Sequence, residues 1–560
     1  MMPPSAGICL ALLTAATLVA GGAPAPSLIP RPQTLAFQPG EFRLAPDTRI
    51  ISDASSLPTA KQLAARLRPA TGYALSVKTK SNAGAAMANV IVLTSKNANA
   101  HLGAEGYELT VTTNSVVIRA PAPAGLFYGA QTLLQLLPPE IFSPKAVKGA
   151  AWPAPCVHIR DWPRFKWRGL MLDVSRHFYT KAEVEQVLDL MALYKLNMFH
   201  WHLADDDGWR IEIKEYPLLT QIGAWRDRDV LARNTKPDRA QPVWAAPASD
   251  KFGPDGRYGG YYTQEDIREV VAYAGERHVT IVPEIEMPGH SGAALAAYGK
   301  LSCSGEPYLA NSGQPFHVGV FCAGNEDTFT FLRNVLTEVS TLFPGKYMHV
   351  GGDEVNKTNW KHCQKCQALM QREGLKNEEE LQSWFIQRVE KIVDSRGKTM
   401  IGWSEIMQGG LAANAVVMDW IGGGQEAARK GHDVVMSPTA YCYFDHYQST
   451  NHATEPEAIG DYLPLKQVYD LEPIPSGLPA QDQSHILGAQ ANLWTEYVAS
   501  LPHAEYMLFP RLCALAEAVW SPQEGRAWDD FQRRLPVEEQ RLDQLGVNHR
   551  HASYLSESKD

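Results

Sequence analysis

The segment His349-Val-Gly-Gly-Asp-Glu-Val355 sets two carboxylates, Asp353 and Glu354, side by side behind a double glycine. Other reactive side chains recur in short clusters along the chain. They are Asp173 with Ser175, Arg176 and His177; His200 and His202 followed by Asp205, Asp206 and Asp207; and Glu284 with Glu286 and His290. Farther on come Trp403, Trp420, Tyr443 with Asp445, and Trp494 with Glu496. Brought together, these residues would supply proton donors, anions, one guanidinium and several indole faces. Such a set suits a sugar, whose apolar ring faces stack on indoles while charged groups take its hydroxyls. Cleaving a glycoside needs a carboxylic acid for the leaving oxygen and a second group for the oxocarbenium-like carbon.

Neighbours on a strand point to opposite faces, so Asp353 and Glu354 are poorly disposed as an acid–nucleophile pair about 5 Å apart across a sugar. A turn can override that alternation. The arrangement leaves room for a substrate that supplies its own nucleophile. Simpler readings compete. Two glycines before Asp-Glu could be only a tight turn, Asp205–Asp207 a solvated acidic loop, and His290 a hydrogen-bonded structural histidine. Gly-Gly-Asp-Glu also opens the diguanylate cyclase signature, but Val355 replaces the expected Phe. The His200-x-His202 pair matches the first-strand metal ligands of amidohydrolase barrels. Those enzymes need two more histidines on later strands and a terminal Asp; here Trp403 and Trp420 stand at the corresponding ends, which disfavours metal hydrolysis.

The elements that must position these residues are legible as alternating runs. Apolar, β-rich stretches recur at 169–174, 197–203, 279–283, 347–350, 399–403, 416–420, 433–436 and 486–494. Helical patterns fill several gaps. Thr180 with Glu183 makes a capping box ahead of Val184, Val187, Leu188 and Met191. Thr263 opens a similar helix, and a third carries Leu381, Phe385, Val389 and Ile392 before Gly397 stops it. Eight strands alternating with helices or long loops predict an α/β fold, a (β/α)8 TIM barrel. Its active site would lie where the strands end, and every cluster named above falls at such an end. Ahead of it, short β-runs at 90–93, 107–111 and 115–118 with one helix candidate predict a small α+β domain. The expected division is a leader over 1–23, an accessory domain over 24–155, the barrel over 156–523, and a charged helical extension over 524–560 packed on the barrel exterior. The long segments 227–257 and 446–475 are expected to shape the rim.

Composition bounds the function. Of 560 residues, 45% are apolar and 20% charged, enough to bury a core. Lys and Arg total 52 against 61 Asp and Glu, a balance of −9 without long basic runs, which argues against nucleic acid or an anionic membrane as partner. The 14 Trp suit core packing or a stacking surface for a ring-shaped ligand. Residues 6–23 form the one long uncharged apolar run and end in small residues, as a cleaved secretory signal does, although no Lys or Arg precedes them. No later stretch is expected to insert in a membrane, and the protein is expected to be secreted or periplasmic.

Eight cysteines include Cys9 in the leader. In an exported chain Cys303 and Cys322, which bracket a Gly/Pro/Ser-rich loop, make a sensible disulfide. Cys363 and Cys366 form a C-x-x-C. Zinc there would need two more close ligands and a thioredoxin-like role its own βαβ setting, so a local disulfide is expected. Cys156, Cys442 and Cys513 are expected as buried thiols.

Together the segments WRGLMLDVSRHF (167–178), NMFHWHLADDDGWR (197–210), YGGYYTQED (258–266), VPEIEMPGH (282–290), HVGGDEV (349–355) and LWTE (493–496) resemble the family 20 glycoside hydrolases, exo-acting β-N-acetylhexosaminidases. The likeness runs from about residue 30 to 521. It implies removal of terminal β-linked N-acetylglucosamine or N-acetylgalactosamine from oligosaccharides, with retention, through an oxazolinium ion, and with no metal or organic cofactor. By the resemblance, Glu354 is the general acid/base and Asp353 accepts from the N–H of the substrate's 2-acetamido group. Tyr443 would donate to the acetamido oxygen, and Trp403, Trp420 and Trp494 would wall the pocket. Arg176, Asp445 and Glu496 would bind sugar hydroxyls, with Asp205 and His290 behind Glu354, tuning it. Asp207 stands where members often have Gln, and Glu286 where many have Asp. The rival of another class is a silent sugar-binding protein, which the presence of both Asp353 and Glu354 disfavours.

Overall fold

The computed structural model describes residues 26–79, 88–227, 242–308 and 319–551. The expected leader and residues 228–241 of the rim segment lie outside them. Residues 34–161 build a seven-stranded mixed sheet with spatial order Thr34–Leu44, Trp152–Asp161, Tyr107–Val111, Ser115–Arg119, Val90–Thr94, Arg49–Ser52, Val77–Thr79. Helices Leu57–Thr71 and Pro123–Leu136 pack against this sheet and each other. This is the α+β arrangement expected ahead of the barrel.

The eight strands of the barrel are Trp167–Asp173, Met198–His202, Thr280–Glu284, Tyr347–His349, Thr399–Trp403, Val416–Asp419, Val434–Met436 and Ile486–Leu493. They are parallel and close on themselves, the eighth pairing with the first. Each is nearly continuous in buried residues because helices or loops cover the outside and side chains fill the inside. The fill is partly aromatic, with Trp167 and Trp403 among Val282, Ile401, Val416, Met418 and Val435. It is also partly polar. Gln490 accepts from the Trp167 indole at 3.2 Å and lies 3.0 Å from His200 Nδ1, so these buried polar groups find partners.

Register carries the chemistry. Asp173 pairs with His202, His202 with Glu284, and Glu284 with His349, so the ends of the first four strands present polar residues at one level. The helices Lys181–Leu193 and Gln264–Glu276 begin with full capping boxes at Thr180/Glu183 and Thr263/Asp266. One link is a loop without an α-helix. Between the fifth and sixth strands there is only the single 3-10 turn Ser404–Met407, because 12 residues separate the strands and Gly409 and Gly410 take positive φ.

The C-terminal helix Trp528–Leu545 does more than coat the barrel exterior. Arg534 clamps Glu517 of the last barrel helix at 2.6 and 2.7 Å, while Arg541 donates to the carbonyls of Ser27 and Gln135 at 2.7 Å in the N-terminal domain. A second bond between the domains is a buried ion pair. Lys195, on the turn into the second barrel strand, donates to Asp161 at 2.8 Å and to Tyr107 Oη at 2.9 Å; Trp520 Nε1 donates to the other Asp161 oxygen at 2.9 Å. Among the described residues no helix is long and apolar enough to cross a membrane.

Removing one member of such a pair strands the other charge out of water. Asp161→Ala is expected to lower unfolding free energy by about 3–5 kcal/mol, read as a reduced urea midpoint. A loss below about 1 kcal/mol would show that the pair does not join the domains energetically.

Candidate active site

The barrel rim is organised by a chain of buried charges. Glu284, at the end of the third strand, lies against His202 Nδ1, 2.9 Å from His200 Nε2 and 2.7 Å from His349 Nδ1, and accepts from Trp403 Nε1 at 2.9 Å. The other His202 nitrogen contacts Asp205 at 2.9 Å, and Asp205 in turn meets His290 Nδ1 at 3.1 Å and Arg176 Nη2 at 2.9 Å. His290 Nε2 then stands 3.4 Å from Glu354 and 3.6 Å from Asp353. The path thus runs Glu284–His202–Asp205–His290–Glu354.

The charges alternate along it. Burial alone would strip the His202 proton, but Glu284 and Asp205 lift its pKa to about 10. His200 beside it goes the other way, to about 4, because desolvation outweighs Glu284. Burial would raise Asp205, yet Arg176, His290 and His202 hold it well below the carboxylate range. His290, desolvated but facing Asp205, is held well above an ordinary imidazole. The His200-x-His202 pair therefore serves a carboxylate hub on Glu284.

Asp353 and Glu354 lie beyond the fourth strand, which ends at His349. Gly351 and Gly352 take φ of +67° and +96°, and Glu354 itself +47°. A side chain on Gly351 would overlap the Glu286 carboxylate. Strand alternation consequently does not govern the pair, and both carboxyl groups face the same edge of His290. A left-handed Glu is an uncommon backbone state held by its surroundings. The Asp353 side chain is 10% exposed and that of Glu354 42%, so one acid is desolvated while the other reaches the opening.

Burial raises Asp353 to about 7; His290 opposes this, while Glu405, Glu284 and Glu354 add to it. Glu405 is the residue the sequence reading missed. It sits two residues past Trp403, on the 3-10 turn, and accepts from Trp420 Nε1 at 2.9 Å. The strand-end rule, extended by two positions, would have found it.

The remaining aromatic candidates gather into one cluster. Trp403 and Trp494 have ring centres 5.7 Å apart, Tyr443 lies 6.5 Å from Trp494, and Trp420 stacks on Tyr443 at 5.9 Å and 17°. Tyr443 follows a short helix, Thr439–Cys442, and bridges to Asn492 of the eighth strand, which brings it to the rim. Burial, then Asp445, keeps its hydroxyl protonated and able to donate. Arg176 holds Glu496 at 3.3 Å and lies 5.1 Å over the Trp494 ring. Among the described residues, Asp353 Oδ1, Asp445 Oδ1 and Glu496 Oε2 are buried without a hydrogen-bond partner. Buried acceptors of this kind are costly unless a ligand's N–H or O–H meets them. Burial, with Glu496 as neighbour, also pushes Asp445 well upward. Of the two departures noted in sequence, Asp207 pairs with Arg226 at 2.8 Å, and Glu286 packs beneath Gly351.

The cysteines do not pair as expected. Among the described residues Cys303 and Cys322 are not bonded to each other, nor Cys363 to Cys366; all four, with Cys156, Cys442 and Cys513, are free. The loop ends and the C-x-x-C turn come together in one cluster, so spacing along the chain did not reveal their partners.

An acid reaching the opening of a barrel, a second acid beside it and an aromatic wall define a glycoside hydrolase site. Comparison with known proteins agrees. The model of "Glycosyl hydrolase family 20, catalytic domain" matches residues 165–523, and that of "Glycosyl hydrolase family 20, domain 2" matches residues 25–162. The chain belongs to glycosyl hydrolase family 20. It is 42% identical to a beta-hexosaminidase of Porphyromonas gingivalis over 93% of its own length and 64% of that protein's. With the Vibrio furnissii beta-hexosaminidase it shares 36% identity, covering 88% of this chain and 76% of the other. Among solved structures, the GH20 beta-N-acetylhexosaminidase of Streptomyces coelicolor A3(2) superposes with a TM-score of 0.79 at 32% identity, covering 94% of this chain and 98% of that one. A mutant Streptomyces plicatus beta-hexosaminidase in complex with its product GlcNAc gives the same TM-score of 0.79, again at 32% identity, covering 94% and 97% of the two chains.

Asp353 binds its proton more tightly in the folded chain, at about 7, than at the reference value of 3.8. Its contribution to stability therefore falls as pH rises from 4 to 7 and is level above that, by ~4 kcal/mol at most. Asp353→Asn, neutral throughout, should melt a few degrees above wild type at pH 8, with the gap closing near pH 4. A gap that does not change with pH would contradict the buried-acid assignment.

Proposed function

We propose that the chain is an exo-acting β-N-acetylhexosaminidase that removes terminal, non-reducing β-linked N-acetylglucosamine or N-acetylgalactosamine with retention. In this reading the substrate's 2-acetamido oxygen is the nucleophile. The observation that carries it is the placement of Asp353 and Glu354 side by side on one edge of His290. Two acids so placed do not flank a sugar ring from opposite faces, as an ordinary retaining pair must. The name of the Porphyromonas protein and the GlcNAc held by the Streptomyces plicatus protein support the substrate class.

The residues then divide the work. Glu354 gives its proton to the glycosidic oxygen as the acetamido oxygen attacks C1 and the aglycone departs, leaving an oxazolinium ion. Asp353, through its unpartnered Oδ1, accepts from the acetamido N–H and stabilises the positive charge that develops there. A substrate N–H favours the ionised carboxylate and draws its pKa down from about 7. Tyr443, kept protonated, donates to the acetamido oxygen and aims it. Glu354, now a carboxylate, takes a proton from the water that attacks C1 and reopens the ring, so configuration is retained. Holding the amide oxygen near C1 makes attack unimolecular, with effective molarities of ~10⁵ M or more. Arg176, Asp445 and Glu496 take ring hydroxyls, and Trp403, Trp420 and Trp494 enclose the acetyl group and sugar face. The apolar stretch over residues 6–23 supports export, and we place the enzyme in the periplasm or outside the cell.

The test pairs two chromogenic substrates with two proteins. Wild type should turn over the β-GlcNAc glycoside at least ~10³-fold faster than the β-glucoside, and Glu354→Gln should lose ~10³-fold or more on the former while still binding GlcNAc. Equal rates on the two sugars would remove substrate assistance. Near-normal turnover by the variant would remove Glu354 as the acid.

A further inference from the structure

Outside the active site, the most organised group of reactive side chains is a cluster of four cysteines. Cys303 follows the 3-10 turn Gly299–Leu301 in the segment after the third barrel strand, and Cys322 lies later in the same segment, ahead of helix Glu326–Leu342. Cys363 caps helix Gln364–Glu373, which follows the fourth strand, and Cys366 lies in that helix's first turn. The Sγ–Sγ distances are 3.8 Å for Cys303–Cys366, 3.7 Å for Cys322–Cys363 and 3.7 Å for Cys322–Cys366. All four sulfurs lie within 4.8 Å of one another. We propose that Cys303, Cys322, Cys363 and Cys366 form a tetrathiolate zinc site that clamps the loop after the third barrel strand to the loop after the fourth.

Geometry is the first argument. Four sulfurs about 2.3 Å from a central zinc stand at tetrahedron corners about 3.8 Å apart. The three short edges here match that length to within 0.1 Å. Cys322 is equally far from Cys363 and Cys366, so the geometry selects no pair for a disulfide. Two of the sulfurs come from a C-x-x-C turn, the spacing by which one turn presents two ligands to zinc. The two ligands that the sequence reading found wanting arrive from another loop.

The surroundings are those of thiolates. Cys322, Cys363 and Cys366 are buried and Cys303 is half-buried. Gly324 must be glycine, since a Cβ there would collide with the backbone of Lys365 and Cys366. The ten-residue helix Gln364–Glu373 adds the positive end of its dipole beside Cys363 and Cys366. Four free thiols would be oxidised in an exporting compartment, and a bound Zn²⁺ would hold them as unreactive ligands.

The clamp has a clear mechanical object. One bridged loop carries His290, the other Asp353 and Glu354, and the two meet at the 3.4 Å His290–Glu354 contact. Trp360 Nε1, donating to the Phe321 carbonyl at 2.9 Å, already links the loops near the cluster. Zinc would make that join resistant to opening without touching substrate.

The test is metal analysis of the full chain purified without chelator. We expect about one zinc per chain by elemental mass spectrometry and, at the zinc X-ray absorption edge, a shell of four sulfurs at about 2.3 Å. Cys363→Ser with Cys366→Ser should abolish stoichiometric zinc and shorten the half-life at elevated temperature about tenfold or more. Where that variant fails to fold, the wild-type metal content and absorption edge decide alone. A zinc-free chain whose four cysteines are either all alkylated after denaturation or joined in two disulfides would overturn the proposal. So would zinc bound through nitrogen and oxygen, or iron in its place.

Discussion

Asp205 is the constraint on which the active site hangs. Its carboxylate is buried among Arg176, His202 and His290, and each of these cations reaches a further acid: Glu496, Glu284 and Glu354. A carboxylate in that position cannot move without uncovering several charges at once. It therefore fixes the imidazole edge against which Asp353 and Glu354 are set. Removing any one link leaves a desolvated charge without its counter-ion, the situation in which buried ion pairs cost most. The barrel supplies the reference frame, because paired register places Asp173, His202, Glu284 and His349 at one level.

Against that rigid network stands a group of acids the fold does not satisfy. Asp353, Asp445 and Glu496 each keep a buried oxygen without a hydrogen-bond partner among the described residues, and burial raises all three. Uncompensated acceptors and like charges in one cleft weaken the folded state; in the proposed reaction a sugar's N–H and O–H groups meet them. The stabilising side of the balance lies elsewhere, in the Lys195–Asp161 pair, the arginine clamps of the C-terminal helix and the packed aromatic barrel interior.

Much of this was legible in the sequence because parallel strands are continuous apolar runs and barrel chemistry gathers at their C-terminal ends. The eight runs read from sequence overlap all eight barrel strands, and the Thr180 and Thr263 capping boxes start helices as expected. Three features escaped for physical reasons. The side-by-side setting of Asp353 and Glu354 depends on positive φ at Gly351, Gly352 and Glu354, which strand periodicity does not encode. Glu405 rides on a 3-10 turn two residues past the end of its strand, beyond the strand-end positions. The cysteine cluster joins residues from two loops separated by a whole helix and strand, so near-neighbour pairing along the chain misassigned it.

In the proposed reaction the sugar attacks its own anomeric carbon inside this cleft, and a stable bicyclic thiazoline built on GlcNAc mimics the resulting ring. Its inhibition constant, measured beside that of GlcNAc on the wild-type protein, is the most direct measurement. Binding at least ~100-fold tighter than GlcNAc is the expected result for an analogue of the species the cleft stabilises. Binding no tighter than GlcNAc, together with a glycosyl ester on an enzyme carboxylate seen by intact-protein mass spectrometry during turnover, would contradict it.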